Sequence, residues 1–287
     1  PLLPIAIEAK TKSDEDKLAK ALSRLLAEDP SLVLETKEDT NQQVLWCLGE
    51  AHLDVVLDRL SNTYGVAVDT VPLKVSLRET FGAKAEGHGR NVKQSGGHGQ
   101  YGVCDIEIEP LPQGTGFEFV DKVVGGAVPR QYIPSVEKGV RAQMAKGVAA
   151  GYPVTDIRVT LIGGKAHSVD SSDMAFQTAG SLALKDAAAK ARVDLLEPVA
   201  EITVTVPDDY VGAVMTDLSI RRGRLTGTDS AGAGFSVVTA EVPEIELTRY
   251  VVDLRSMSHG TGHFERRSLG YQAMPHAQAE KIKAEAQ

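Results

Sequence analysis

One order of elements occurs twice in this 287-residue chain, and it narrows the possible architectures more than any single motif does. Over residues 1–71, the run 5–9 reads as a short strand, and Ser13 is placed to cap a helix with Leu18, Leu22, Leu25 and Leu26 on one face. Pro30 ends that connection. Stretches 32–36 and 43–48 read as strands around a polar turn. A second helix then carries Leu53, Val56, Leu57, Leu60 and Tyr64, and Gly65 stops it before a strand at 66–71. Residues 199–287 repeat this β-α-β-β-α-β order without obvious sequence identity. Strand 200–206 leads through Pro207 into a helix carrying Val214 and Leu218. Strands 224–228 and 235–242 flank a glycine-rich turn, a helix carries Leu247, Val251 and Leu254, and strand 263–269 precedes a charged tail helix at 277–286. Each copy is a split βαβ, ferredoxin-like unit. Trp46 and Tyr64 are expected in the core of the first.

Between the copies, residues 72–198 read as a mixed α/β segment. Strands are expected at 75–81, 101–110, 117–123 and 154–162, and helices at 132–146 and 173–192, with a glycine-rich excursion between the first two strands. Glycines mark both joints from strand to helix, at 125–130 and 163–170. If the strands they follow are parallel, both loops lie at one end of the sheet. Gly163 and Gly164 are expected to end the last strand and throw out a tight loop carrying Lys165 and His167. Asp170, Ser171 and Ser172 follow as N-cap side chains for the helix starting near Asp173.

The formal net charge of −8 argues against a generic nucleic-acid binder. Residues 76–197 differ from the rest, with 14 basic and 14 acidic residues. Within 84–101, Lys84, Arg90 and Lys93 face only Glu86, with His88 and His98 beside them. An acidic body with one locally basic end can still dock on RNA through that end. No run of 18 apolar residues exists and no basic-plus-apolar leader opens the chain, which points to the cytoplasm and to no membrane contact. Cys47 and Cys104 are solitary and read as reduced core thiols. No GxxxxGK[ST] phosphate loop occurs. His167, Asp170 and Ser171 do not make a hydrolytic triad, because a serine at a helix start is a cap and no GxSxG elbow is present. His259 and His263 are separated by Gly260 and Gly262, which breaks helical ligand spacing. No catalytic residue and no metal site is expected.

The stretch GGKAHSVDSSDMAF at 163–176 resembles the tip of domain IV of bacterial elongation factor G (EF-G), where the pattern runs DGSYHEVDSSEMAF. Five further motifs resemble that family in the same order. Three are GEAHLD at 49–54 (family GELHLE), KQSGGHGQYG at 93–102 (KQSGGRGQYG) and VGGAVPRQYIP at 124–134 (VGGVIPKEYIP). The other two lie in the last segment, where Asp217, Leu218, Arg221, Arg222 and Gly223 match DLNARRG, and Asp253, Leu254, Arg255 and Ser256 match TDLRS. The resemblance covers the whole chain as EF-G domains III, IV and V, at 1–71, 72–198 and 199–287. It implies two ferredoxin-like domains flanking a mixed α/β domain IV, a ribosomal-protein-like fold with a left-handed βαβ crossover.

What the resemblance implies for function is specific. The chain would be the ribosome-binding part of a translational GTPase whose GTP and Mg sit in a separate N-terminal domain, with no cofactor in this segment. The partners would be both ribosomal subunits and the tRNA–mRNA duplex in the decoding centre, met by a monomer. Tip contacts would come from Gln94, Ser95, Gly96, Gly97, His98, Gly99, Gln100, Gly125, Gly126, Gly163, Gly164, Lys165 and His167. Glycines would let backbone approach RNA, and donors would reach phosphate, 2′-OH or minor-groove edges. Asp170, Ser171 and Ser172 would brace the tip, since an anion facing RNA is unfavourable. Arg255, His259, Gly260 and Gly262 would form the domain V face toward the ribosome.

Three departures from the family pattern point to a divergent paralogue. His98 replaces an arginine, losing a permanent charge and a bidentate phosphate donor. Ala51 replaces a leucine, and the strand after Gly260 carries Glu265, Arg266 and Arg267 where the family is apolar and aromatic. A paralogue serving recycling, rescue or slow growth without true translocation is the main alternative. A tetracycline ribosome-protection factor fits less well, because its tip loops differ from HxVDSS.

Overall fold

The computed structural model describes residues 1–94 and 97–287. In chain order the elements are β1 (Leu3–Ala9), α1 (Glu15–Glu28), β2 (Val33–Lys37), β3 (Gln42–Cys47), α2 (Glu50–Asp58) and β4 (Val68–Val71). The middle holds β5 (Arg78–Phe81), β6 (Ala85–Lys93), β7 (Gln100–Pro110), β8 (Phe117–Asp121), α3 (Ile133–Lys146), β9 (Ile157–Lys165) and α4 (Asp173–Lys190). The last part holds β10 (Val193–Pro207), α5 (Val211–Ile220), β11 (Arg224–Gly232), β12 (Phe235–Pro243), α6 (Tyr250–Met257), β13 (His263–Ala273) and α7 (His276–Glu285). The described residues pack as two compact units, Pro1–Ser76 with Pro198–Gly270, and Leu77–Glu197 with Tyr271–Gln287.

In the first unit, the leading sheet has the order β2-β3-β1-β4, with β1 antiparallel to both neighbours. This is the split βαβ order, and α1, α2 and the turn after α2 cover one face through Leu18, Leu22, Leu25, Val56 and Leu60. The second ferredoxin-like sheet pairs β12 with both β10 and β11, and Ile202, Val204, Val214, Leu218, Tyr250 and Leu254 fill its core. Leu3 of β1 is buried in that second core, so the two sheets share apolar surface.

Several local expectations are corrected here. Ser13 does not cap α1; its hydroxyl sits 3.1 Å from that of Thr11, and the helix is entered through a 3-10 turn at Lys12–Asp14. The second helix ends at Asp58 and continues as one wider turn, in which Tyr64 N–H reaches back to Arg59 C=O. Trp46 and Tyr64 are half-buried at the margin of the first core. Each keeps a polar tip to satisfy, Trp46 Nε1 donating to Glu35 at 2.9 Å and Tyr64 Oη to Glu28 at 3.1 Å. The Arg266 guanidinium lies 5.5 Å above the Trp46 ring and pairs with Glu244, while Arg267 pairs with Glu201. The charged strand is therefore absorbed: β13 is the edge of its sheet, where charge is tolerated.

The second unit is a four-stranded sheet of order β6-β7-β9-β8 with α3 and α4 packed on it. The glycine-rich excursion expected between 81 and 101 is mostly a nine-residue strand, β6, paired with β7 from Ala85↔Ile108 to Lys93↔Gln100. The buried positions of β6 are Gly87, Gly89 and Asn91, so no apolar alternation marks it. A Cβ on Gly87 or Gly89 would overlap the carbonyl of Ala183 or Ala179 in α4, so these glycines let helix backbone lie directly on sheet backbone. Two side chains of this stretch meet carboxylates across the β6–β7 ladder. Lys84 pairs with Glu109 at 3.2 Å and His88 with Asp105 at 2.6 Å. Cys47 and Cys104 are buried thiols, and burial pushes them up to about 11 and about 12 respectively.

Candidate functional site

Strand directions bring three loops together. β6 and β9 are both antiparallel to β7, and β8 is parallel to β9, so β6, β8 and β9 all end at the same edge of the unit. The end of β6 with the start of β7, the 122–129 loop and the 166–172 loop therefore share one end of the sheet. This matches the expectation for the two glycine-marked joints and adds the β6–β7 turn to them.

The 163–176 stretch differs in detail from its sequence reading. Gly163, Gly164 and Lys165 do not leave the sheet but continue β9, pairing with Asp105, Cys104 and Val103 of β7 after an irregularity at Ile162. The loop proper is 166–172. Exposed Lys165 closes the strand. The extra sheet length comes from β7, whose reach is invisible from residues 163–165 themselves.

Within the loop, His167 is half-exposed, and its Nδ1 accepts from the N–H groups of Val169 at 3.2 Å and Asp170 at 3.1 Å. That arrangement leaves Nε2 as the nitrogen with a proton to give. Its ring is tilted 42° against Tyr101, 5.8 Å between centroids. Ser172 caps α4 by accepting from Ala175 N–H at 3.1 Å. Asp170 and Ser171 do not cap it. The Asp170 carbonyl accepts from Tyr101 N–H at 2.9 Å, and its carboxylate lies 3.7 Å from His167 Nδ1. Of the side chains expected as caps, Ser172 thus takes that place, while Asp170 bonds the start of β7 through its carbonyl.

The candidate glycines divide. A Cβ on Gly97, Gly125, Gly126 or Gly163 would meet nothing within 4 Å, so these four leave room for a partner's backbone to approach. Gly125 and Gly126 are consecutive left-handed residues, with φ of 66° and 68°. Gly99 and Gly164 instead face their own chain. A Cβ at Gly99 would come 2.8 Å from Asp170 Oδ2, and one at Gly164 would overlap Val103 C=O. They are corrected here to packing positions. Gln94 and His98 are exposed, while Gln100 Oε1 accepts from buried Asn91 at 3.2 Å. Ser95 and Gly96 lie outside the described residues.

Sequence reasoning missed three features of this end. Tyr101 joins two loops, and Val124 and Val169 stand 82% and 76% exposed among the donors. An apolar residue set between loop glycines and polar groups was the available signal.

In the last part, Arg221 gathers the motif residues. Its guanidinium bonds Asp217 at 2.8 Å, Asp253 at 2.6 Å and the Glu246 carbonyl at 2.7 Å, and stacks over Tyr250. Burial alone would lower its pKa, but the bonds to Asp217 and Asp253 outweigh that and raise it. The exposed Arg255 lies against Gly49, where a Cβ would come 2.5 Å from Nη1. His259 is exposed with φ 50°, its ring 5.6 Å from Tyr210, and Gly260 N–H bonds Arg255 C=O at 2.7 Å. Gly262 is buried and bonded to the Ser258 hydroxyl at 2.8 Å, so it is a packing residue and not a contact surface.

Three family models match consecutive stretches of the chain: elongation factor G domain III over residues 1–72, domain IV over 73–192, and the elongation factor G C-terminus over 194–282. The chain belongs to the elongation factor G family. It is 67% identical over 284 residues to an "Elongation factor G-like protein" of Mycobacterium tuberculosis (strain CDC 1551 / Oshkosh), covering 99% of this chain and 40% of that protein. Against an "Elongation factor G" of Aquifex pyrophilus the identity is 48% over 283 residues, covering 98% and 40%. A crystal structure from Thermus thermophilus superposes with a TM-score of 0.86 at 41% identity, covering all of this chain and 43% of that one. This EF-G-like chain therefore spans about 40% of the length of the curated relatives it matches. Among its described residues, no helix is long and apolar enough to cross a membrane.

Proposed function

We propose that this chain is the ribosome-engaging part of an EF-G-like translational GTPase, and that its three-loop end enters the decoding centre to hold the tRNA–mRNA duplex during translocation. The observation that carries this reading is the convergence of the three loops with an oriented imidazole among four unobstructed glycines. Groups of this kind suit RNA read by shape: Nε2–H of His167, Lys165, Gln94 and His98 can donate to phosphate or ribose 2′-OH. The exposed Val124 and Val169 supply apolar surface beside them. GTP and Mg would be held by the family's N-terminal domain, and the residues of this chain would bind and orient RNA without bond-making. The domain V face would be His259 and Gly260, with Arg255 at its edge.

A second reading is favoured by a specific observation. The exposed His98 stands where an arginine would give a bidentate phosphate contact, and the identity to the EF-G-like relative exceeds that to the Aquifex EF-G. Under that reading the protein binds ribosomes for recycling or rescue. The experiment is mRNA translocation and post-termination subunit splitting by the full-length protein, wild type and His167→Ala. GTP-dependent translocation that falls with the substitution supports the tip reading. Splitting without translocation, indifferent to His167, assigns the protein to the second role.

A further inference from the structure

Ser171 is the point where two of the tip loops join. Its neighbour Ser172 does the capping of α4. The Ser171 hydroxyl donates to the Tyr101 carbonyl at 2.8 Å and accepts the His167 N–H at 2.8 Å. Its own carbonyl accepts from the Tyr132 hydroxyl at 3.1 Å. Tyr101 N–H completes the seam by donating to the Asp170 carbonyl. The start of β7, the 166–172 loop and the entry to α3 are thus tied through one residue. One hydroxyl proton and one lone pair suffice for both of its side-chain bonds.

The consequence falls on His167. With its own N–H held by Ser171, and the N–H groups of Val169 and Asp170 both directed at Nδ1, the imidazole has one favourable neutral tautomer. Tyr101, anchored by the same seam, limits the ring from one side. A donor fixed before binding avoids the ordering cost that a mobile loop pays on contact.

We propose that Ser171 is a positioning residue, clasping the 166–172 loop to β7 so that His167 is presented to RNA as a single oriented Nε2–H donor. This rests on the tip reading above. The test measures translocation by the full-length protein carrying Ser171→Ala, Ser171→Thr, His167→Ala and the Ser171→Ala/His167→Ala pair. Ser171→Ala should slow translocation about tenfold, and Ser171→Thr, which keeps the hydroxyl, should restore most of the rate. In the His167→Ala background, Ser171→Ala should add little. Equal slowing in both backgrounds overturns the proposal.

The second measurement needs no ribosome. Nitrogen-15 spectra of His167 in this chain should separate an acceptor Nδ1 from a protonated Nε2 in the wild type, and show tautomer averaging in Ser171→Ala. An unaltered tautomer in Ser171→Ala overturns the clasp alone. A wild-type rate for His167→Ala overturns both the clasp and the tip reading. If Ser171→Ala unfolds the unit, Tyr132→Phe loosens the same seam from its other side. It should shift the tautomer in the same direction, and no shift counts against the proposal.

Discussion

Replacing Glu79 by glutamine should destabilise the second unit by about 3 kcal/mol. The carboxylate of Glu79 is fully buried in β5, and its bonded partners are backbone amides. Four N–H groups of the segment after α3 converge on it. Val148 and Ala149 donate to Oε1 at 2.7 and 3.0 Å, and Ala150 and Tyr152 to Oε2 at 2.7 and 3.1 Å. The same residue joins the strand bridge to Val154, and its backbone bonds Pro153 and Thr155, so one side chain closes the whole 147–155 turn. Hydrogen bonds to a charged group contribute about 1.5–3 kcal/mol each. Glutamine keeps one oxygen for two of the donors and turns an NH2 toward the other two, losing both of their bonds and setting donor against donor. Relief from burying a charge offsets part of that loss, which leaves about 3 kcal/mol. For a unit of this size the shift in melting temperature is about 10 °C. Urea unfolding followed by circular dichroism gives the energy, and amide exchange at Val148, Ala149, Ala150 and Tyr152 localises it. A change below about 0.5 kcal/mol, with those four amides as protected as before, would refute the reasoning.

Three further outcomes are expected. Gly89→Ala should cost about 3 kcal/mol or abolish folding, because the new Cβ overlaps the Ala179 carbonyl and nothing flexible can give way; a melting point within about 3 °C of the wild type would count against the backbone-on-backbone packing. Tyr250→Phe should be neutral or stabilising by up to about 1 kcal/mol, since the Tyr250 hydroxyl is buried with no hydrogen-bond partner among the described residues; a clear loss in thermal unfolding would reveal one. The Asp29 carboxyl is held down to about 2 by hydrogen bonds from Ser31 first and His52 second, against an ordinary value of 3.8. A depressed carboxyl contributes fully above its ordinary value and loses that contribution as the pH falls toward about 2, so wild type and Asp29→Asn should converge in stability over that window; parallel curves would sink the assignment.

The two ferredoxin-like orders and the helix faces were legible because amphipathic periodicity is a local property, and Leu18, Leu22 and Leu25 or Val214 and Leu218 bury as their spacing demands. The start of α4 at Asp173 was equally legible from its serine cap. β6 was not, because a strand whose inward positions are Gly87, Gly89 and Asn91 carries no apolar signal. Its burial is created by α4, far along the chain. The same limit hid the fate of the charges, since Lys84 and His88 meet Glu109 and Asp105 only across the β6–β7 ladder.

The candidate tip divides along this line. Residue types in the motifs at 93–102, 124–134 and 163–176 are enough to identify the family and to name His167 as a donor, because a motif is written in consecutive residues. Which glycines leave room for RNA and which support the chain's own backbone is a question of neighbours. Gly99 and Gly164 are filled positions because Asp170 and Val103 reach them from other strands and loops. Ser171 reads as one more cap beside Ser172 until Tyr101, 70 positions earlier, is brought against it. Sequence by itself determined the amphipathic elements, the family and the chemical groups at the tip. Only the tertiary structure decided which of those groups face outward and which hold the others in place, because hydrogen bonds and close packing between distant segments exist only once the sheet has formed.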